Sequence, residues 1–264
     1  MSIKNVSPLR YPGGKTRACK VLEAILNDYF DINSFECLVS PFFGGGSFEF
    51  HLQYKYNLSI IANDKFTPLY HFWKTCCEMK NKLTDLLYPK VNKIKKDDFY
   101  QMRQQIMKKN NNPLEQSFMY FIINRCSFSG ATLSGGFSLE ASKKRFTQSS
   151  VDRIKNLNLS EFKIYNTDFE EFINKNINEN RLIFLDPPYY LETPKLYGKN
   201  GDMHETFEHE RLYKCLSNKK NWILTYNNCE YIRNLYKDFK IIETSWSYSM
   251  NKSKQSSEIV ILSV

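Results

Sequence analysis

The sequence predicts an α/β fold, a largely parallel sheet interrupted by a helical insertion, and three observations carry that expectation. Short apolar runs alternate with segments of helical periodicity. The run FECLVS (35–40) passes through Gly44, Gly45 and Gly46 into SFEFHLQYKY (47–56), the strand, glycine turn and helix order of a parallel sheet. The alternation stops between about Asn81 and Arg153 and resumes at Phe162.

Each element follows in order. RACKVLEAILNDYF (17–30) has its apolar residues at helical spacing. FECLVS is a first strand, 47–56 a helix, and LSIIAND (58–64) a second strand ending on Asp64 before a helix to about Met79. The interruption carries helical polar segments near 97–109 and 114–124, then a Ser- and Gly-rich loop, SFSGATLSGGFS (127–138). Strands return at 162–168, 181–186 and 221–226, and the runs 240–250 and 256–264, separated by NKSKQ, read as a terminal hairpin. The expected division is 1–74 with 161–264 as one domain and 75–160 as an inserted one.

Composition narrows the class. The 264 residues are 42% hydrophobic and 25% charged, enough to build a core and too apolar for a disordered chain. No apolar run approaches the roughly 20 residues that span a bilayer, and the first twenty residues lack the pattern of a secretory signal. Seven cysteines without a CxxC pair point to reduced thiols and a cytoplasmic location. The four histidines are scattered, so no metal is expected. The net charge of +9 is uneven: residues 65–165 hold 18 basic against 8 acidic side chains, and the rest of the chain is near neutrality. A localised basic surplus suits a polyanion such as nucleic acid, although a lysine-rich solvated surface has the same composition.

Four motifs carry chemistry. The turn from Phe42 to Ser47 brings backbone close to a nucleotide-like ligand at a helix N-terminus, but Glu49 stands where GxGxxG needs its third glycine, so alone it also fits an ordinary βα turn. Asp64, at the end of the second strand, can accept both hydroxyls of a ribose, or simply cap a helix. Gly14-Lys15-Thr16 is not a phosphate-binding P-loop, because Leu9 stands where that motif needs glycine. The segment from Leu9 to Lys15 is instead a loop that brings an aromatic ring and an ammonium to a ligand. Asp186-Pro187-Pro188-Tyr189 follows the strand LIFL, where open α/β sheets bind ligands. Two prolines stiffen this turn and remove two donors. The Asp186 carboxylate and Pro187 carbonyl are then acceptors for a planar NH2 group, and Tyr189 is a ring on which an extruded base can stack.

Together these residues resemble the Dam-type DNA adenine-N6 methyltransferase family over nearly the whole chain. Its LKWAGGK-like opening matches Leu9 to Lys15, its PFxGxGS motif matches Pro41 to Ser47, its second-strand acid matches Asp64, and its DPPY is present unchanged. The resemblance implies a Rossmann-like S-adenosylmethionine-dependent methyltransferase fold with an inserted helical DNA-recognition domain. It implies that Tyr11, Lys15, Asp64 and Asp186 contact S-adenosylmethionine, that the turn Phe43, Gly44, Gly46 lines its methionine end, and that Asp168 meets its adenine. Asp98-Phe99-Tyr100, Arg103 and Asn124-Arg125 match landmarks of the recognition domain, placing Arg125, Phe128, Ser129 and Thr132 against the target. GATC-reading members carry YNGLxR where this chain has Phe128 to Leu133, without the arginine that reads guanine. A different target is therefore expected, because a bidentate Arg–guanine contact contributes about 1–3 kcal/mol of discrimination.

The implied reaction is in-line methyl transfer to the N6 of a flipped adenine in duplex DNA, with Asp186, Pro187 and Tyr189 at the reacting base and no metal. Double-stranded DNA is the implied partner, in the cytoplasm of a bacterial, phage or viral host cell, and a cognate restriction endonuclease is a candidate protein partner. The same amino-holding motif also serves exocyclic cytosine, RNA and glutamine-amide methylation. An inactive methyltransferase-fold protein that only binds nucleic acid is the alternative of another class.

Overall fold

The computed structural model describes residues 5–11, 13–108, 112–190, 207–247 and 255–264. Pro12, Lys109, His204 and the turn of the expected hairpin lie outside these. In chain order come α1 (Cys19–Tyr29), β1 (Cys37–Ser40), α2 (Ser47–Tyr56) and β2 (Ser59–Asn63), then α3 (Thr67–Glu78), α4 (Lys80–Leu87), α5 (Lys96–Gln105), α6 (Pro113–Cys126), α7 (Leu139–Lys144) and α8 (Gln148–Lys155). The sheet resumes with β3 (Phe162–Tyr165), α9 (Phe169–Asn176), β4 (Arg181–Leu185), α10 (His209–Leu216), β5 (Trp222–Asn227), α11 (Glu230–Leu235), β6 (Lys240–Ser247) and β7 (Gln255–Leu262).

Among the described residues the strands form one seven-stranded sheet in the order β3-β2-β1-β4-β5-β7-β6. β1 to β5 pair in parallel, whereas β7 runs antiparallel between β5 and β6. This is the mostly parallel sheet with a terminal hairpin expected from the sequence, and it fits a Rossmann-like methyltransferase fold. The strand order reverses between β1 and β4. Connections from those two strands leave in opposite directions, which opens a crevice at their C-terminal ends.

Period-two alternation sorts the strand residues onto two faces. Leu38, Leu182, Phe184, Ile223 and Val260 pack under α1 and α2, while Val39, Ile183, Leu185, Leu224 and Ile259 pack against α9, α10 and α11. The helices between β2 and β3 lie on the α1/α2 face. Ile60 and Ala62 of β2 share one apolar cluster with Leu69, Phe72 and Trp73 of α3, Phe121 and Ile122 of α6, and Val151 and Ile154 of α8. α3 runs unbroken through positions 74 and 75, and its buried face is continuous with the sheet core. α6 is buried on every side from Met119 to Cys126, the expected environment for a helix whose apolar residues show no single stripe. The short helices α4, α7 and α8 were not resolved by periodicity, since six to eight residues give barely two turns of pattern.

Among the described residues no helix is long and apolar enough to cross a membrane. No group of three or more His, Cys, Asp or Glu among them could hold a metal.

Candidate active site

The crevice between β1 and β4 gathers most of the residues singled out in the sequence. After β1 the chain turns through Gly44 at φ +52° and Gly46 at φ +65°, a region where side chains are strained. Space matters as much: a Cβ on Gly46 would overlap the Phe43 ring, and one on Gly44 or Gly45 would lie 2.8 Å from Tyr11. Tyr11 thus lies across the glycine turn. Burial of its hydroxyl end, with Asp64, Tyr120 and Asp186 nearby, raises its pKa well above the ordinary value. Phe43 contributes only backbone to the turn. Its ring packs into the core 5.1–5.7 Å from Phe50, Trp73 and Phe162, and the Trp73 indole donates to the Gly44 carbonyl at 2.9 Å.

Asp64, just past β2, is 7% exposed and accepts from the Gly44 and Phe66 amides at 3.0 and 2.9 Å. Burial outweighs those two bonds and pushes its carboxyl up to about 6. Asn63, which the sequence reading passed over, ties three strand ends together. Its amide donates to the Pro41 and Thr167 carbonyls and accepts from the Thr167 N–H. Asp168 is held at the same edge, where it caps α9 by accepting from the Glu170 amide at 3.0 Å. Arg211 of α10 pairs with Asp168, Glu170 and Glu208 and lies 4.7 Å from the Phe169 ring centre. Phe42 faces Phe169 and Phe207 at 5.7 and 5.5 Å, an aromatic group beside Asp168.

Asp186 leaves β4 directly opposite the glycine turn. Lys15 reaches it from the N-terminal loop, 2.7 and 2.8 Å from its two oxygens, and Thr225 of β5 donates to Oδ1 at 2.7 Å. The ammonium is 3% exposed and also donates to the Gly13 carbonyl. It lies 5.1 Å from the centre of the Tyr189 ring, within cation–π range. Glu49 of α2 lies behind this pair and accepts from Ser40 at 2.7 Å. Burial, reinforced by the charge on Asp186, raises its carboxyl to about 7. The Tyr189 hydroxyl donates to Glu258 of β7 at 2.5 Å. Neither Thr225 nor Glu258 belongs to a motif, so sequence reading missed both. The one available signal was a polar residue at an inward position of an apolar strand.

The resemblance implied four target-contacting residues, and their surroundings differ. Arg125 is 6% exposed, and its guanidinium donates to the Pro8 carbonyl at 3.2 Å and the Arg145 carbonyl at 2.7 Å. Burial, with Arg153, Arg10 and Arg145 close by, lowers its pKa to about 9. It is a strut between segments and is not presented on the surface. Phe128 is 69% exposed, while Ser129 at φ +60° and Thr132 at φ +45° hold the loop in a left-handed shape. Asn124 joins this loop to the N-terminal one. Its amide accepts from Arg10 N–H at 2.9 Å and donates to the Arg10 carbonyl at 2.7 Å and to Thr132 at 3.2 Å.

No curated protein matches the chain. A family model, described as D12 class N6 adenine-specific DNA methyltransferase, matches residues 11–250. That span runs from Tyr11 on the glycine turn to beyond β6, taking in Lys15, Asp64 and the Asp186 turn, so the chain belongs to the D12 class N6 adenine-specific DNA methyltransferase family.

Proposed function

We propose that this adenine-specific DNA methyltransferase takes its methyl group from S-adenosylmethionine and delivers it to the N6 of an adenine turned out of duplex DNA. The observation that carries this reading is the Asp186 turn, anchored by Lys15 and Thr225 and facing a glycine cradle across the crevice. The residues fit the cofactor. Gly44, Gly45 and Gly46 let the Tyr11 and Phe43 rings close onto the turn, which seats the Tyr11 ring beside Asp64 where the cofactor would lie. Each Asp64 oxygen, with one amide donor, retains a lone pair for a ribose hydroxyl. Phe42, Phe169 and Phe207 pack together into an apolar surface beside Asp168 against which an adenine ring can lie. When bound, the cofactor supplies an electrophilic methyl on a sulfonium.

The chain's own contribution is orientation. Asp186 and the Pro187 carbonyl accept the two amino hydrogens, which localises the nitrogen lone pair and aims it along the line of transfer. Lys15 and Thr225 fix the Asp186 carboxylate in one rotamer, so the amine meets a preset acceptor. Asp186 then stabilises the positive charge that develops on nitrogen, and the base stacks on Tyr189. Residues 75–160 serve as the recognition region. Phe128, Ser129 and Thr132 face the target, while Asn124 holds their loop through Gly130 and Thr132. The expected site differs from GATC.

The test is transfer of labelled methyl from S-adenosylmethionine to DNA from a methylation-deficient host, with the modified base and its sequence context read by single-molecule sequencing. Asp186→Ala leaves the buried Lys15 ammonium without its carboxylate and so costs stability, but the folded fraction should lose at least about a hundredfold in turnover, the scale of a lost charged hydrogen bond plus misalignment. Retention of more than a few per cent of activity would remove Asp186 from this role.

A further inference from the structure

On the α1/α2 face of the sheet, β5 and β7 are apolar at Ile223, Val260 and Leu262. They turn polar toward the crevice. Period two puts Thr225 and Asn227 on that face, and the β5–β7 register sets Glu258 directly opposite Asn227. These three side chains hold the Asp186 turn at three successive points. Thr225 donates to Asp186 at 2.7 Å, the Tyr189 hydroxyl donates to Glu258 at 2.5 Å, and Asn227 donates to the Tyr190 carbonyl at 3.0 Å.

Glu258 is 1% exposed, and burying a carboxylate in a central strand is costly unless charge-assisted hydrogen bonds offset it. A phenol bonded to a carboxylate cannot swing about its Cα–Cβ axis without breaking the bond. The ring is therefore held against Tyr226, whose centre is 5.9 Å away, with the Lys15 ammonium 5.1 Å from its own centre. We propose that Glu258 is a positioning residue, which fixes the direction of the Tyr189 ring axis, while packing against Tyr226 and Lys15 sets the ring plane, so that the ring is placed where the target base is presented to Asp186. The antiparallel hairpin, remote in sequence from every motif, is then part of the active site. This inference rests on the base-stacking role assigned to Tyr189 above.

Its test uses the full-length enzyme with Y189F, E258Q, E258A and the double variant Y189F/E258A. Base capture is read by fluorescence of 2-aminopurine at the target position, turnover by labelled methyl transfer, and cofactor affinity by calorimetry. Y189F and E258A should each lose roughly ten- to a hundredfold in turnover, the range for a hydrogen bond to a charged group, with a weaker 2-aminopurine signal and an unchanged cofactor Kd. E258Q, which keeps an acceptor, should recover part of the loss, and the double variant should be no worse than the poorer single one. Wild-type turnover in E258Q and Y189F, additive losses in the double variant, or a cofactor affinity that falls along with turnover would overturn the proposal. Should E258A fail to fold, E258Q and Y189F decide the matter alone. Failure of the underlying reading is separate, because the wild-type enzyme would then give no 2-aminopurine signal on binding its DNA.

Discussion

Asp64 shows how one residue's surroundings set a measurable pH dependence. Its carboxyl, ordinarily near 3.8, is held at about 6 by burial, so between those values the folded protein keeps a proton that the unfolded chain has released. The Asp64 contribution to the stability of the cofactor-free protein should therefore fall as pH rises from about 4 to about 6, and buried Glu49, raised to about 7, extends the fall to about pH 7. With Asp64 in the proposed ribose-binding role, cofactor binding should run the other way, since two ribose hydroxyls need an ionised acceptor. Titration calorimetry from about pH 5 to about pH 8 should show S-adenosylmethionine affinity rising up to about pH 6 and flat above it, with a slope approaching tenfold per pH unit at the acid end. Asp64→Asn should bind more weakly and lose that slope. A wild-type affinity independent of pH would detach Asp64 from the ribose. Asp64 and Asp186 were legible in the sequence because each ends a strand. Thr225 and Glu258 were not, because their partner lies 39 or 69 residues away in the chain.

The element that most constrains the site is the glycine turn between β1 and α2. Gly46 is the N-cap of α2 in left-handed geometry, and the Phe43 ring occupies the space a side chain would need. Gly46→Ala combines the left-handed penalty, about 1–2 kcal/mol, with overpacking of about 1–3 kcal/mol. Thermal melts should show a loss of about 2 kcal/mol or more, and cofactor affinity should fall with it because the turn must shift. A variant with native stability and affinity would show that the turn is softer than its contacts imply. The sequence showed where this turn lies but assigned Phe43 to the ligand side. A strand-end aromatic reads the same whether it faces crevice or core, and only Phe50, Trp73 and Phe162 pulling the ring inward decide it.

Across the whole molecule the charge surplus and the fold meet in the helices between β2 and β3. Lys95, Lys96 and Lys108 are exposed there, and neutralising them to Gln should weaken DNA binding on every sequence alike, because phosphate contacts position without specifying. The slope of log K against log salt should flatten by about 0.9 for each phosphate no longer neutralised. Substituting Phe128 or Thr132 should instead change which sites are methylated and leave that slope nearly as it was. An unchanged slope in the lysine variants would make the surplus a solvated surface only.

What the sequence by itself determined was the sheet, its glycine turn, the DPPY turn and the family, because strand alternation and turn chemistry are local and each motif is contiguous. The tertiary structure decided which side chains serve those motifs. Arg125, read as a target contact, is drawn inward because Pro8 and Arg145 offer it carbonyls in a buried gap. The helices expected as an insertion share their core with β2 through α3. Glu258 reaches Tyr189 only because β7 slots between β5 and β6, a register that comes from pairing distant strands and from no pattern within either one.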